Sequence, residues 1–192
     1  MFRLLHPYRH KTDEELMALV QGKQEEAFDE LWRRYSPAMQ NFFFRRTGGN
    51  ADIAADLTQD LFLQLWNASH QYYYPNKLRP YLFTIAFNLV RNLYRDIDYL
   101  TTYETEVLSL TEEAQEDCAF EKMDDRILFE AIHKALQQMS EAERLLFDLR
   151  FTDELSIKEI AAVIHIPEGT VKSRLHTLIQ KLRKNLHDYV KI

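Results

Sequence analysis

Apolar residues along this chain recur at helical spacing, three and four apart, in a succession of runs separated by breaker residues. Thr12 with Glu15 forms a capping box, in which each side chain satisfies a backbone N–H of the other's turn, and it opens a first helix through about Val20. Ala27, Phe28, Leu31, Trp32 and Tyr35 are the apolar stripe of a second helix, which Pro37 is expected to end or kink. Phe42, Phe43 and Phe44 continue the apolar content, and Gly48-Gly49 is a clear break. Asn50 caps a third helix to about Ala68, with Ile53, Leu57, Leu61 and Leu65 spaced by four toward the core. Gln71 to Arg79 reads as a loop carrying Tyr72, Tyr73 and Tyr74, then Pro75 and Asn76. Pro80 suits the first turn of a fourth helix running to about Asp96.

The pattern then lapses. Residues 98–125 show no sustained period and are crowded with acids, the composition of a linker. Helical spacing returns from Arg126 to Met139, and Ser140 with Glu143 starts a further helix to about Phe151. The most informative stretch is Ser156 to Arg183. Ser156 with Glu159 is another capping box, Ile157, Ile160, Ala161 and Ile164 recur at helical spacing, and His165-Ile166-Pro167 breaks the run. The next helix sets Val171, Leu175, Leu178 and Leu182 on one face and Lys172, Ser173, Arg174, His176 and Thr177 on the other. Two helices on a tight turn, the second one basic, form a helix-turn-helix whose second helix enters the DNA major groove. The blander alternative is a helical hairpin with a solvated charged face.

Charge changes the picture only once it is divided. The 192 residues carry a net charge of −6, unexpected in a DNA binder. Residues 1–98 hold 12 basic and 12 acidic residues; 99–125 hold one Lys against nine acids; 126–192 hold 11 bases against nine acids. The acidity therefore belongs to one connecting segment. The basic footprint at the C-terminal end is local, so the chain is expected to need a larger partner to hold DNA. Gly (4) and Pro (5) are scarce, which favours helices. The most apolar stretch, Tyr81 to Val90, is too short to span a bilayer and contains Asn88. No secretion signal is read at the N-terminus, and the single Cys118 fits a reducing cytoplasm.

Two further constellations bear on function. Asp56, Gln59, Asp60 and Leu63 form a stripe opposite the apolar face of the third helix, suited either to solvent or to a basic partner helix. The segment Leu78–Arg95 mixes Tyr81, Phe83, Phe87 and Tyr94 with Arg79, Arg91 and Arg95. It suits a packed core with a charged rim, or a single-stranded nucleic-acid site with stacking rings and phosphate-holding arginines. Catalytic chemistry is poorly represented: there is no Gly-rich phosphate loop, no Cys pair for zinc, and His6 and His10 flank Pro7 in a short tail. No cofactor, metal or catalytic residue is expected.

Three motifs, in order, resemble those of extracytoplasmic-function (ECF) sigma factors, small two-domain subunits of bacterial RNA polymerase. Asp56-Leu57-Thr58-Gln59-Asp60-Leu61-Phe62 is similar to the family's D-L-x-Q-[ED]-x-F in region two. Tyr81-Leu82-Phe83-Thr84-Ile85-Ala86-Phe87-Asn88 is similar to its W-L-x-x-I-A-x-N, and Pro167 to Arg174 to the region-four P-x-G-T-V-K-S-R. The resemblance covers about Thr12 to Leu186.

It implies an all-α fold of two small helical domains joined by a flexible acidic linker. A tail (1–11) precedes region two (12–98), the linker (99–125) and region four (126–192). Asp56, Gln59, Asp60 and Leu63 would dock on core RNA polymerase. Tyr72, Tyr73, Tyr74, Asn76, Arg79, Tyr81, Asn88, Arg91 and Arg95 would melt and read the −10 element of promoter DNA. Thr170, Lys172, Ser173, Arg174, His176 and Thr177 would read the −35 element. The linker would thread toward the polymerase active centre and RNA exit path. The implied partners are core polymerase, promoter DNA and a membrane-bound anti-sigma factor, the protein itself being cytoplasmic and not an enzyme.

The chain departs from the family pattern at four places. Tyr81 replaces the usual Trp, Asn92 stands where Asp is common, and His165 replaces a turn Gly and is expected to need a left-handed backbone. Thr177-Leu178 replace the common Arg-Ala, removing a DNA-contacting charge and pointing to an unusual −35 sequence. A rival is a stand-alone LuxR-type regulator, which carries a similar helix-turn-helix but needs its own sensor and dimer interface.

Overall fold

A computed structural model of the chain describes residues 8–73, 77–103, 132 and 134–186; Tyr74, Asn76, the start of the 126–139 helix and the linker beyond 103 lie outside these. The chain divides into two compact units, Met1–Ala114 and Gln115–Ile192. Every regular element among the described residues is helical.

Four helices build the first unit: α1 (Asp13–Gln21), α2 (Glu25–Arg46), α3 (Ala51–Asn67) and α4 (Leu78–Tyr103). The Thr12 hydroxyl accepts from the Glu15 N–H and the Glu15 carboxylate accepts from the Thr12 N–H, so the expected capping box closes. Asp13, Glu14 and Glu15 in the same turn also complement the positive end of the helix dipole. Gly48 and Gly49 have φ of 63° and 84°, conformations that favour glycine, and end the α2 excursion. Asn50 then caps α3 by accepting from the Ile53 N–H at 3.0 Å.

Pro37 does not end the second helix, which runs through it for 22 residues. Proline forfeits one backbone bond there, at a cost of about 3 kcal/mol. The C-terminal half buries Met39, Phe42 and Phe43 completely, and three such side chains outweigh that cost. Phe42 meets Phe83 of α4 edge-on, ring centroids 5.5 Å apart, at the centre of the unit. A second aromatic group joins α2 to α3: Phe28 with Phe62 and Trp66, and Trp32 with Phe62 at 4.5 Å. The fourth helix starts at Leu78, ahead of Pro80, because Leu78 is itself buried and its turn docks with the core. It also continues past Asp96, to Tyr103.

Among the described residues, two charged residues of this unit are buried, Glu30 and Arg46. Glu30 accepts from Arg33 and Arg34, and Arg34 reaches on to Asp13 at 2.9 Å and to the carbonyls of Tyr8 and Arg9. The hydrogen bond from Arg33 outweighs desolvation and, with Arg34, holds the Glu30 carboxyl down at about 2. The Tyr35 hydroxyl donates to Asp13, and burial together with that carboxylate pushes the phenol well above its usual range.

The second unit contains α5 (Glu141–Phe147), a wider π-helical turn at Asp148–Thr152, α6 (Ile157–Ile164) and α7 (Glu168–Leu186). The capping boxes at Ser140/Glu143 and Ser156/Glu159 both form. Glu143 also pairs with Lys181 of α7, and this hydrogen bond, helped by Ser140, lowers its carboxyl pKa. The π turn buries Leu149 and lets the Asp153 N–H reach the Asp148 carbonyl at 2.7 Å. His165 takes the left-handed conformation expected of it (φ 55°, ψ 44°) and turns the chain between α6 and α7. Ile160, Ala161 and Val163 of α6 pack with Val171, Leu175 and Leu178 of α7 as the core of the pair.

Candidate nucleic-acid interface and docking face

α3 has a buried side and an open side. Ala54, Leu57, Thr58, Leu61, Phe62 and Leu65 are buried. Asp56, Gln59, Asp60 and Leu63 are all exposed, Leu63 to 58%, so the stripe read from the spacing is one continuous outward surface. Ile53, expected in the core, is instead 37% exposed. Its place is the first turn of α3, ahead of the crossing with α2, and Ala54 fills the inward position there. Two carboxylates, an amide and a leucine in open water suit a partner that is basic and has an apolar notch.

The aromatic and basic segment divides less simply. Phe83 is core and Phe87 is half-buried. Arg79, Arg91 and Arg95 are exposed along α4, and Tyr94, 43% exposed, donates to the Arg46 carbonyl. Tyr72 and Tyr73 part company: Tyr72 is 6% exposed, its ring 5.3 Å from that of Tyr81, while Tyr73 is 74% exposed. Tyr72 therefore offers no free face in this conformation, whereas Tyr73 offers a whole ring. Tyr81 is half-buried, which raises its phenol pKa. The Asn88 Oδ1 is covered and accepts no hydrogen bond among the described residues. Arg79 also lines an open cleft of about 340 Å³ with Asp13, Arg34, Tyr35 and Phe83. Tyr73, Arg79, Arg91 and Arg95 thus place one stacking ring and three guanidinium groups on one loop–helix segment, the components of a single-strand site. Two side chains without a pattern in the sequence lie beside it: Gln21 reaches the Tyr72 carbonyl of the loop, and Lys23 reaches Trp66 and Ser69 just ahead of it.

In the second unit, Lys172, Ser173, Arg174, His176 and Thr177 are exposed on α7, and Thr170 is half-buried at its start. The Ser173 hydroxyl donates to the Thr170 carbonyl and that of Thr177 to the Ser173 carbonyl, both at 3.1 Å. These are intrahelical bonds a hydroxyl exchanges for a base edge by rotating about χ1. His176 shares a contact of 3.2 Å with Gln180. Buried Val171, Leu175 and Leu178 fix the rotation of the helix, so the polar side chains project as a set.

Comparison with known proteins gives matches over both units. The model for "Sigma-70 region 2" matches residues 31–98, and that for "Sigma-70, region 4" matches 129–182. The chain is 30% identical to RNA polymerase sigma factor CarQ of Myxococcus xanthus over 162 residues, covering 84% of this chain and 90% of CarQ. It is 28% identical to RNA polymerase sigma factor YlaC of Bacillus subtilis, covering 85% and 94%. It is 29% identical to ECF RNA polymerase sigma factor BldN of Streptomyces coelicolor, covering 91% of this chain and 66% of BldN. Among solved structures, it is similar in fold to CnrH, solved in complex with the cytosolic domain of CnrY (TM-score 0.64, 22% identity, 92% and 97% covered). It is also similar to the Bartonella quintana sigma factor RpoE, solved with the anti-sigma factor NepR (TM-score 0.65, 22% identity, 83% and 96% covered).

Proposed function

The chain belongs to the ECF class of sigma-70 RNA polymerase sigma factors, and we propose how its named residues divide the work of starting transcription at chosen promoters. The stripe Asp56, Gln59, Asp60 and Leu63 docks on core polymerase. Its continuous exposure, on a helix whose other side buries Ala54, Leu57, Thr58, Leu61, Phe62 and Leu65, is the observation that carries this assignment.

Docking brings Tyr73, Arg79, Arg91 and Arg95 to the −10 element. Exposed bases stack on the tyrosine ring, and guanidinium groups hold phosphates of the displaced strand. Tyr72 and Tyr81 support the loop from beneath, and Asn88 keeps an unspent acceptor within α4. Lys172, Ser173, Arg174, His176 and Thr177 face the −35 element, Thr170 flanking them at the entry to α7. There Lys and Arg position the helix on phosphates and the short polar side chains read base edges. Tyr74 and Asn76 belong by position to the −10 loop, and residues 99–125 to the connection between the two domains.

The chemistry of RNA synthesis stays with the polymerase; this chain supplies recognition and strand separation. It acts where the polymerase is, in the cytoplasm, and no described helix is long and apolar enough to cross a membrane. A membrane-anchored anti-sigma factor is the proposed regulator; the Bartonella quintana RpoE, similar in fold, is solved with an anti-sigma factor, NepR.

The docking assignment is tested by Asp60→Arg. Reversing an exposed charge against a basic partner costs a few kcal/mol of association, about a hundredfold, while the free protein keeps its melting temperature. Unchanged affinity in a titration against core polymerase would refute it.

A further inference from the structure

The turn between α1 and α2 makes contacts that its own helices do not require. Gln21 Nε2 donates to two carbonyls far along the chain, Ser69 O at 3.1 Å and Tyr72 O at 2.8 Å. Lys23 Nζ donates to the Trp66 carbonyl at 3.1 Å, meets the Ser69 hydroxyl at 3.5 Å, and lies 4.7 Å above the Trp66 ring. These acceptors lie at the end of α3 and in and just after the following short 3₁₀ turn, Ser69–Gln71; Ser69 O also accepts from the Tyr72 N–H and Trp66 O from the Ser69 hydroxyl, so the two side chains add further donors to carbonyls that shape the turn. An ammonium there also faces the negative end of the α3 dipole and the face of an indole.

The backbone of the turn agrees with that role. Lys23 has φ 61°, a left-handed conformation, although a glycine stands next to it. Gly22 has an ordinary φ of −77°, and a Cβ on it would lie 3.2 Å from the Leu19 carbonyl. Glycine is thus used for close approach, and the strained position falls to lysine. A non-glycine residue in this region persists where its surroundings hold it. Here they hold the amine against α3. The result is a clamp on the root of the −10 loop: the Tyr72 carbonyl is held by Gln21 and the Tyr72 ring by Tyr81. The next residue, Tyr73, leaves this anchor with 74% of its surface open.

We propose that Gln21 and Lys23 are positioning residues for promoter reading: from the α1–α2 turn they fix the exit point of Tyr73, and so the base preference of the −10 loop. Both lie ahead of residues 31–98, the stretch that matches region 2. The proposal rests on the reading of Tyr73 and α4 as the single-strand surface. Its physical basis is preorganisation. A ring that leaves a fixed anchor stacks in one register, whereas a ring on a loosened root samples several and discriminates poorly.

The test uses the full chain assembled with core polymerase and a pool of pre-opened templates with a short randomised segment on the non-template strand. Gln21→Met keeps length and packing but removes both donors. Lys23→Gly removes the amine while placing glycine where the backbone favours it, so the fold is not penalised by strain. Lys23→Arg keeps a cationic donor. The expected result is that Gln21→Met and Lys23→Gly each flatten the selected base preference about tenfold, or about 1.4 kcal/mol of discrimination. Core affinity and melting temperature stay at wild-type values, and Lys23→Arg restores the preference. A preference as sharp as wild type in both variants overturns the proposal. So does a loss that merely tracks a fall in melting temperature or core affinity, which marks a structural contact only. If wild-type holoenzyme selects no base at all, the single-strand reading of the loop fails, and this proposal with it.

Discussion

Leu63→Ala isolates the docking face from the fold. Leu63 is 58% exposed on the side of α3 that carries Asp56, Gln59 and Asp60. Fully burying a leucine side chain is worth about 1.5–3 kcal/mol, so covering the part that is open here contributes about 1–2 kcal/mol on association. Alanine keeps a little of that, which leaves an expected loss of about 1 kcal/mol, roughly five- to tenfold in core affinity. The free protein scarcely notices, because a surface substitution away from caps and packed sites stays within about 0.5 kcal/mol. Two residues earlier, Leu61 is fully buried, and Leu61→Ala is expected to destabilise the fold by about 2–5 kcal/mol. The assay is a fluorescence titration of labelled protein with core polymerase, beside thermal unfolding of each variant. Leu63→Ala with wild-type affinity, or with a melting temperature lowered as far as that of Leu61→Ala, would refute the assignment of this face.

Three other expectations follow from particular groups. Lys172→Ala with Ser173→Ala is expected to cost about 1–3 kcal/mol of promoter affinity on duplex templates carrying a −35 element. It should spare pre-melted templates that lack that element; equal losses on both would contradict the division of labour between the units. His165→Gly is expected to raise the unfolding free energy of the C-terminal unit by about 1 kcal/mol, since glycine adopts its left-handed conformation without penalty; denaturant melts that show no gain would contradict this. Glu30, held at about 2, contributes stability that is complete above the ordinary carboxylate range and is lost as pH falls through about 2. Glu30→Gln is therefore expected to cost roughly 1–3 kcal/mol at neutral pH, discounted for the half-exposed Arg33 partner, and to flatten the acid limb of a stability–pH curve. An unaltered acid limb would show that the buried carboxylate is not what titrates.

Local signals in the sequence were reliable where the interaction itself is local. The capping boxes at Thr12, Ser140 and Ser156 and the Asn50 cap need only residues three apart, and each forms. The polar stripe of α3 and the exposed set on α7 follow from helical period alone. The errors lie where tertiary packing overrides a local preference. Pro37 is carried through by the burial of Met39, Phe42 and Phe43, and α4 begins two residues early because Leu78 docks. Ile53 falls outside the core because the packed crossing of α3 begins one residue later, at Ala54. The Glu30–Arg33–Arg34 cluster has a readable spacing of three and four, yet nothing local says that Glu30 is the buried member. Gln21 and Lys23 were illegible for a stronger reason. Their partners lie more than 40 residues away in sequence, and a glutamine and a lysine beside a turn carry no pattern.

The central claim is that this chain directs core polymerase to chosen promoters. Mapping transcript 5′ ends made in vitro from genomic DNA by core polymerase, with and without the protein, tests it most directly. The account predicts a discrete set of start sites that appears only when the protein is added, each preceded by two shared sequence elements. It further predicts that Asp60→Arg abolishes the whole set, whereas Lys172→Ala with Ser173→Ala weakens each site according to its upstream element. Start sites that are the same with and without the protein, or that share no upstream elements, would contradict it.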